Sequence, residues 1–162
     1  WNDVNDPLAE GKQSLMLRKA NKGIEYKIFR RGEGAYYHDS KVYFATTTTH
    51  TIWIYDIKKK TIKPLYSGNG ALSDPDNIVI SKSGLVMAAE DGGNMEICGI
   101  STAGIKPKAF PIVRITGHSE TSEVTGPAFN PSGTRLYFSS QRGKDGWNGI
   151  TFEVTGPFEK LS

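Results

Sequence analysis

The sequence predicts an all-β fold of the β-propeller class. Short runs of β-branched and aromatic residues, such as Lys41–Thr46 and Leu136–Ser140, recur along the chain between clusters of turn residues. Similar strand–turn–strand units begin at Gly34, Asn77 and Gly126, first about 43 and then about 49 residues apart. Units of short strands repeating at this period are typical of propeller blades. A β-sandwich also contains many short strands, but it would not repeat them at one period.

The repeat predicts a partial propeller of about three blades, each with three to four antiparallel strands. The blades are expected at about residues 24–68, 69–115 and 116–157. Residues 1–23 are expected to be an irregular lead-in, in which Ser14 to Gly23 could form a short helix. A closed propeller needs about 4 to 8 blades, so three blades predict either a piece of a longer protein or a ring completed by another chain. The start on Trp1, without Met or a leader segment, favours a fragment.

Composition excludes several classes of function. The 162 residues carry 20 basic and 17 acidic side chains, for a net charge of +3. The basic run Lys58–Lys60 lies between two strand-like segments and is expected to be a solvated turn, so nucleic-acid binding is not predicted. No apolar run approaches the roughly 18 residues of a membrane span. The one cysteine, Cys98, excludes an internal disulfide and is expected to be a small apolar strand residue.

A hairpin is predicted within Asp74–Asp91, where a Ser81–Gly84 turn joins two apolar strands. Because the turn folds the second strand back onto the first, the start of one lies beside the end of the other. Asp76 and Glu90 are therefore expected at the same end of the hairpin. Two close carboxylates repel each other unless a cation, a shared proton or solvent relieves them, so this end is either a metal-ligand edge or a solvated rim.

Acidic residues also stand at or just before the first strand of each repeat, namely Glu33, Asp76 and Glu123. The first strand of each propeller blade lines the central channel, so these side chains are expected to converge at one mouth of that channel. The alternative is that each acid simply caps a strand end at a hydrated rim. Both interpretations stay open at this point.

The motifs in their order resemble a known family. Phe29–Gly34 followed by Val42–Thr47 resembles the "RxEG … vyFxTT" signature of the bacterial PhoX-type alkaline phosphatases. Further motifs follow in that family's order: Ile52–Tyr55, Pro75–Ile78, Glu90–Gly92, Ser122–Glu123 with Gly126, Phe129–Gly133, and Leu136–Phe138 with Gln141. Single pieces are ordinary turn sequences, so the resemblance depends on their order and spacing, from about Trp1 to Pro157.

The resemblance implies a six-bladed propeller, usually exported to the periplasm or outside the cell. It also implies hydrolysis of phosphate monoesters at a cluster of calcium and iron ions on the propeller axis. Carried over by position, the implied metal ligands are Glu33, Asp76, Glu90 and Glu123, together with Asp91. Arg31 is the candidate for substrate binding. Carboxylate ligands suit hard cations, and clustered cations can polarise a phosphoryl oxygen.

The chain also departs from the family pattern. The family's cluster takes further ligands, including a cysteine, from an N-terminal half that this sequence does not contain, and Cys98 cannot be mapped onto that role. The loop after Phe44, usually rich in glycine, is here the polar stretch Thr46–His50. The loop residues His38, His50 and His118 are expected to be solvent-exposed rather than metal ligands.

Three functions are consistent with the sequence. The first is the C-terminal part of a PhoX-like metal-dependent phosphatase, which would act on a phosphate-ester substrate only together with the missing half or a second chain. The second is a non-catalytic propeller module that binds a protein or a surface, because fold similarity does not establish activity. The third is a calcium-dependent propeller hydrolase that acts on lactones or other esters.

Overall fold

The computed structural model describes residues 27–68, 70–117 and 121–161, and within them the chain is all-β. The predicted lead-in helix and His118 lie outside these residues. The strands are β1 (Gly32–His38), β2 (Lys41–Thr46), β3 (Thr51–Asp56), β4 (Thr61–Ser67), β5 (Pro75–Ile80), β6 (Val86–Glu90), β7 (Glu96–Ser101), β8 (Lys108–Arg114), β9 (Val124–Phe129), β10 (Arg135–Arg142) and β11 (Asn148–Thr155). Two short 3-10 helices, Thr47–Thr49 and Phe158–Lys160, follow β2 and β11.

The strands form three antiparallel sheets in chain order, which we call blades 1, 2 and 3: β1 to β4, β5 to β8, and β9 to β11. The first strands of the blades are neighbours in space. Gly34 of β1 lies directly against the backbone of Asp76 and Asn77 in β5. The Asn77 side chain is in turn hydrogen-bonded to Gly126 of β9. The predicted propeller architecture is therefore confirmed, with the three repeat positions on inner strands.

The apolar core lies between the blades, on both sides of blade 2. Side chains alternate along a strand, so Val86 and Ala88 face blade 1 while Met87 and Ala89 face blade 3. Every residue of β6 is buried for this reason. Burial of apolar side chains on both faces contributes roughly 1.5 to 3 kcal/mol for each large residue and holds the three sheets together.

The aromatic residues divide between the core and the outer face of blade 1. Phe138 is buried between blades 2 and 3, together with the aliphatic Val79. Trp53 lies on the face of blade 1 that is turned away from blade 2. There its ring contacts Phe29 with a centroid separation of 5.2 Å and stacks on Phe44 at 6.3 Å. Alternation accounts for this position, because its neighbour Ile52 takes the side facing blade 2.

The segment after β11 returns to the interface between blades 2 and 3. Phe158 is buried there, with its ring 5.3 Å from that of Phe129. The Ser83 hydroxyl, in the β5–β6 turn, donates a hydrogen bond to the carbonyl of Leu161. Within the described residues, blade 3 has three strands, whereas blades 1 and 2 have four each. No helix in the described part of the chain is long and apolar enough to cross a membrane.

Candidate functional site

Four carboxylates from all three blades come together at one end of the inner strands. Asp76, at the start of β5, has a pKa raised above its usual value, first because of its partial burial. The next causes are the negative charges of Glu33, Asp91 and Glu123. We call these four residues the acidic mouth. The structure brings Glu33, Asp76 and Glu123 together as the repeat register predicts, and it adds Asp91.

Arg31 spans blades 1 and 2 at the acidic mouth. Its Nε lies 3.2 Å from Glu33 Oε1, and its Nη2 donates to Asp91 Oδ2. These contacts raise the pKa of Arg31, the hydrogen bond with Asp91 first among them. The Arg31 backbone has a φ of 53°, which is uncommon for a residue other than glycine. Its carbonyl accepts a hydrogen bond from the Thr47 amide, so the left-handed turn is anchored to the loop after β2.

Glu123 is held by its own blade. Gln141 donates its amide Nε2 to Glu123 Oε2 at 3.1 Å, and Arg142 Nη1 lies 3.3 Å from Glu123 Oε1. Arg142 also donates to the carbonyl of Thr121 at 2.6 Å. The acidic mouth therefore contains a guanidinium on the blade 1 side and another on the blade 3 side.

Asp76 is linked to blade 3 through its neighbour Asn77. The Asn77 Nδ2 donates to Asp76 Oδ1 at 3.0 Å, while the Asn77 Oδ1 accepts hydrogen bonds from blade 3. On the other side, the Thr47 hydroxyl donates to the carbonyl of Pro75 at 2.9 Å, and His50 Nδ1 accepts the Asp74 amide at 3.1 Å. The polar loop after β2 thus braces the entry to β5. The His50 side chain, expected to be solvent-exposed, is 28 % exposed.

Glu90 is not part of the acidic mouth, contrary to the expectation for its side chain. Its backbone pairs with Pro75 at the predicted end of the hairpin. The carboxylate, however, is completely buried between the strands. Oε1 accepts hydrogen bonds from the amide and hydroxyl of Ser73, and Oε2 accepts the amide of Glu96. Because successive residues of a strand point to opposite faces, Asp91 reaches the mouth and Glu90 does not.

Glu90, Glu96 and Cys98 form a buried polar group that the sequence did not predict. Their potential ligand atoms all lie within 4.8 Å of one another. Each side chain already has a protein partner: Glu96 Oε1 lies 2.5 Å from Arg114 Nη2, and the Cys98 thiol donates to the Ala71 carbonyl. Burial, and then the charges of the two glutamates, raise the pKa of Cys98 to about 12. The one available signal was a glutamate inside the apolar run Met95–Ile100.

The sequence profile of the family described as alkaline phosphatase PhoX matches residues 56–143, more than half of the chain. The chain belongs to the PhoX alkaline phosphatase family. The matched stretch includes Asp76, Asp91 and Glu123 of the acidic mouth, while Arg31 and Glu33 precede it. The family resemblance of the motifs is thereby confirmed.

Solved structures of propeller enzymes resemble this PhoX-family chain in fold. A luciferin-regenerating enzyme matches with a TM-score of 0.60 and 23% identity, over 78% of this chain and 45% of that one. A streptogramin B lyase matches with a TM-score of 0.53 and 19% identity, over 82% of this chain and 43% of that one. The chain therefore spans less than half the length of these structures. No curated protein matches the sequence.

Proposed function

We propose that this chain is the C-terminal part of a metal-dependent phosphatase that hydrolyses phosphate monoesters, with cations held at the acidic mouth. The observation that carries the proposal is the convergence of Glu33, Asp76, Asp91 and Glu123 from three blades upon one end of the inner strands. Membership of the PhoX family supports the phosphate-ester substrate. The family resemblance also supports an exported protein, periplasmic or extracellular.

The donor chemistry of the acidic mouth fits calcium. All four side chains offer carboxylate oxygens, the ligands that hard cations prefer. Partial burial is the first cause of the raised pKa of Asp76, and repulsion by the neighbouring negative charges, which a bound cation would relieve, comes next. Iron is supported less well, because it also binds nitrogen or sulfur ligands and these four residues supply neither. Cys98 belongs to the separate buried group with Glu90 and Glu96.

The acidic mouth needs ligands from elsewhere to complete a cation site. Among the described residues, three ligand atoms within 4.8 Å of one another occur in the group of Glu90, Glu96 and Cys98, and the mouth is wider. Each cation would therefore take one or two carboxylates from this chain and the rest from the remaining part of the propeller or from the substrate. The matched structures, more than twice as long as the aligned part, are consistent with such a remainder.

Two roles follow for the residues of this chain. Bound cations would supply charge stabilisation to the attacking and leaving oxygens of the phosphoryl group. Arg31 presents a planar guanidinium, which matches phosphate oxygens in a bidentate geometry. In the structure Arg31 pairs with Glu33 and Asp91, so we propose that cations on these carboxylates free the guanidinium to bind the phosphate of the substrate.

The test is hydrolysis of p-nitrophenyl phosphate by the complete polypeptide, with chelator and then with calcium restored. Asp76→Asn should lower kcat/KM by about a hundredfold or more, the scale on which losing one preorganised electrostatic group acts. Glu153→Gln is the matched control, because this glutamate pairs with Arg135 on outer strands of blade 3. Activity that survives both chelation and Asp76→Asn would contradict the proposal. Calcium binding without phosphate hydrolysis would instead favour a binding module or a hydrolase of other esters.

A further inference from the structure

The side-chain amide of Asn77 connects blade 2 to blade 3 at the acidic mouth. Its Oδ1 lies 2.7 Å from the amide nitrogen of Gly126 and 3.1 Å from the hydroxyl of Thr125. A backbone N–H can only donate, so the amide must turn its oxygen toward blade 3. The NH2 group therefore faces Asp76 and donates to its Oδ1 at 3.0 Å.

The opposite side of β5 is in backbone contact with blade 1. A Cβ at Gly34 would lie 2.6 Å from the carbonyl oxygen of Asp76 and 2.8 Å from the Cα of Asn77. Blades 1 and 2 therefore already touch at this level, and β5 cannot move further toward β1. The place of Asp76 is thus defined sterically by Gly34 on one side and by the hydrogen bonds of Asn77 on the other.

The oxygen of Asn77 is fully engaged by blade 3, with one donor from the main chain and one from a side chain. It has no capacity left to bind a cation in this arrangement. Its NH2 group, by contrast, donates to the Asp76 carboxylate of the acidic mouth. The two ends of one amide thereby connect blade 3 to the Asp76 carboxylate.

We infer that Asn77 is a positioning residue, which holds the Asp76 carboxylate at a set place relative to Glu123 and so determines the cation affinity of the acidic mouth. The inference rests on the proposed function, in that it requires cations to bind there. Partners that orient metal-binding side chains typically change metal affinity about 10- to 100-fold when they are removed. Asn77 should act on this scale without being a ligand.

The experiment measures calcium binding to the complete polypeptide by isothermal titration calorimetry. Asn77→Ala should weaken the calcium Kd about tenfold or more. Asn130→Ala is the matched control, because the Asn130 Oδ1 also accepts two hydrogen bonds, from the amides of Thr134 and Arg135, and its Nδ2 donates to Ser132. That residue lies in the turn between β9 and β10, so its loss should change stability and leave the Kd within about twofold.

Asn77→Asp separates the two ends of the amide. The aspartate can still accept from Gly126 and Thr125, but it repels Asp76 instead of donating to it. In chelator its Tm should fall below that of the wild type, and the gap should widen in calcium, because a variant with a weaker Kd is stabilised less by the same concentration of free calcium. The Tm comparison with Asn77→Asp also tests the positioning role if Asn77→Ala does not fold.

The outcomes distinguish the inference from the proposed function. If the wild type binds calcium and Asn77→Ala binds it with an unchanged Kd, the positioning role is overturned while the metal site stands. A Tm gap for Asn77→Asp that is the same with and without calcium would likewise reduce Asn77 to a structural link. If the wild type binds no calcium, the cation site itself fails.

Discussion

Gly34→Ala should separate blades 1 and 2 at the acidic mouth. The added Cβ would meet the Asp76 carbonyl oxygen at 2.6 Å, the Asn77 Cα at 2.8 Å and the Ile78 nitrogen at 3.0 Å. All three are backbone atoms, so no side chain can rotate away to make room. The strands themselves must move apart by several tenths of an ångström, and Glu33 moves with β1.

The magnitude follows from the cost of overpacking. Inserting a methyl group into a well-packed contact destabilises a protein by about 1 to 3 kcal/mol. For a chain of this size each kcal/mol lowers Tm by about 2 to 4 °C, so the expected loss is about 2 to 12 °C. The wider mouth should also weaken calcium binding, because Glu33 is drawn away from Asp76.

Thermal unfolding followed by circular dichroism is the assay, and Gly32→Ala is the matched control. A Cβ at Gly32 meets nothing within 4 Å, although the residue lies in the same strand. Its substitution should stay within about 0.5 kcal/mol of the wild type. If Gly34→Ala and Gly32→Ala unfold at the same temperature, that result would contradict the close contact between Gly34 and the β5 backbone.

Three further predictions concern individual side chains. The folded pKa of Asp76 is raised, by burial first and by the neighbouring acids next, so its ionisation destabilises the calcium-free fold progressively as pH rises from the ordinary carboxyl pKa through the raised value. Asp76→Asn should therefore increase stability to urea in chelator at about pH 7. An unchanged stability would contradict the cost assigned to this charge. Glu90→Gln replaces one acceptor oxygen with an NH2 group that faces the amide of Ser73 or Glu96. This change should lower the free energy of unfolding in urea by about 1 to 3 kcal/mol, whereas the control Glu153→Gln should change it little. Equal losses for these two variants would refute the buried role of Glu90. With a thiol pKa of about 12 and no exposure, Cys98 should react with a disulfide reagent only as fast as the protein unfolds, and rapid labelling of the folded protein would contradict its burial.

The strand repeat was predictable because its signals are local. Alternating side chains, a Ser81–Gly84 turn and turn residues at regular intervals define strands and hairpins over a few residues each. Once the repeat is recognised, the inner strands and the acids at their entries follow from propeller geometry. The sequence therefore predicted that Glu33, Asp76 and Glu123 stand at strand entries, but it left open whether they converge at one mouth or cap separate strand ends.

The choice between Glu90 and Asp91 could not be made from the sequence. Alternation normally reveals which side chains face the core, but β6 is buried on both faces and carries no polar side to indicate direction. Packing against blades 1 and 3 places Glu90 in the interior, where backbone amides of Ser73 and Glu96 satisfy it. The Asp91 side chain then lies at the acidic mouth, where it pairs with Arg31.

The sequence by itself determined the strands, their repeat, the family and the acids that belong to strand entries, because each depends on neighbouring residues or on motif order. Only the tertiary structure decided which residues meet across blades: Gly34 against the β5 backbone, Asn77 against the Gly126 amide, and Arg31 against Asp91. These partners lie in different blades, and some are more than forty residues apart in the chain. Their contact depends on how closely the sheets pack, which is a property of the assembled core rather than of any one segment.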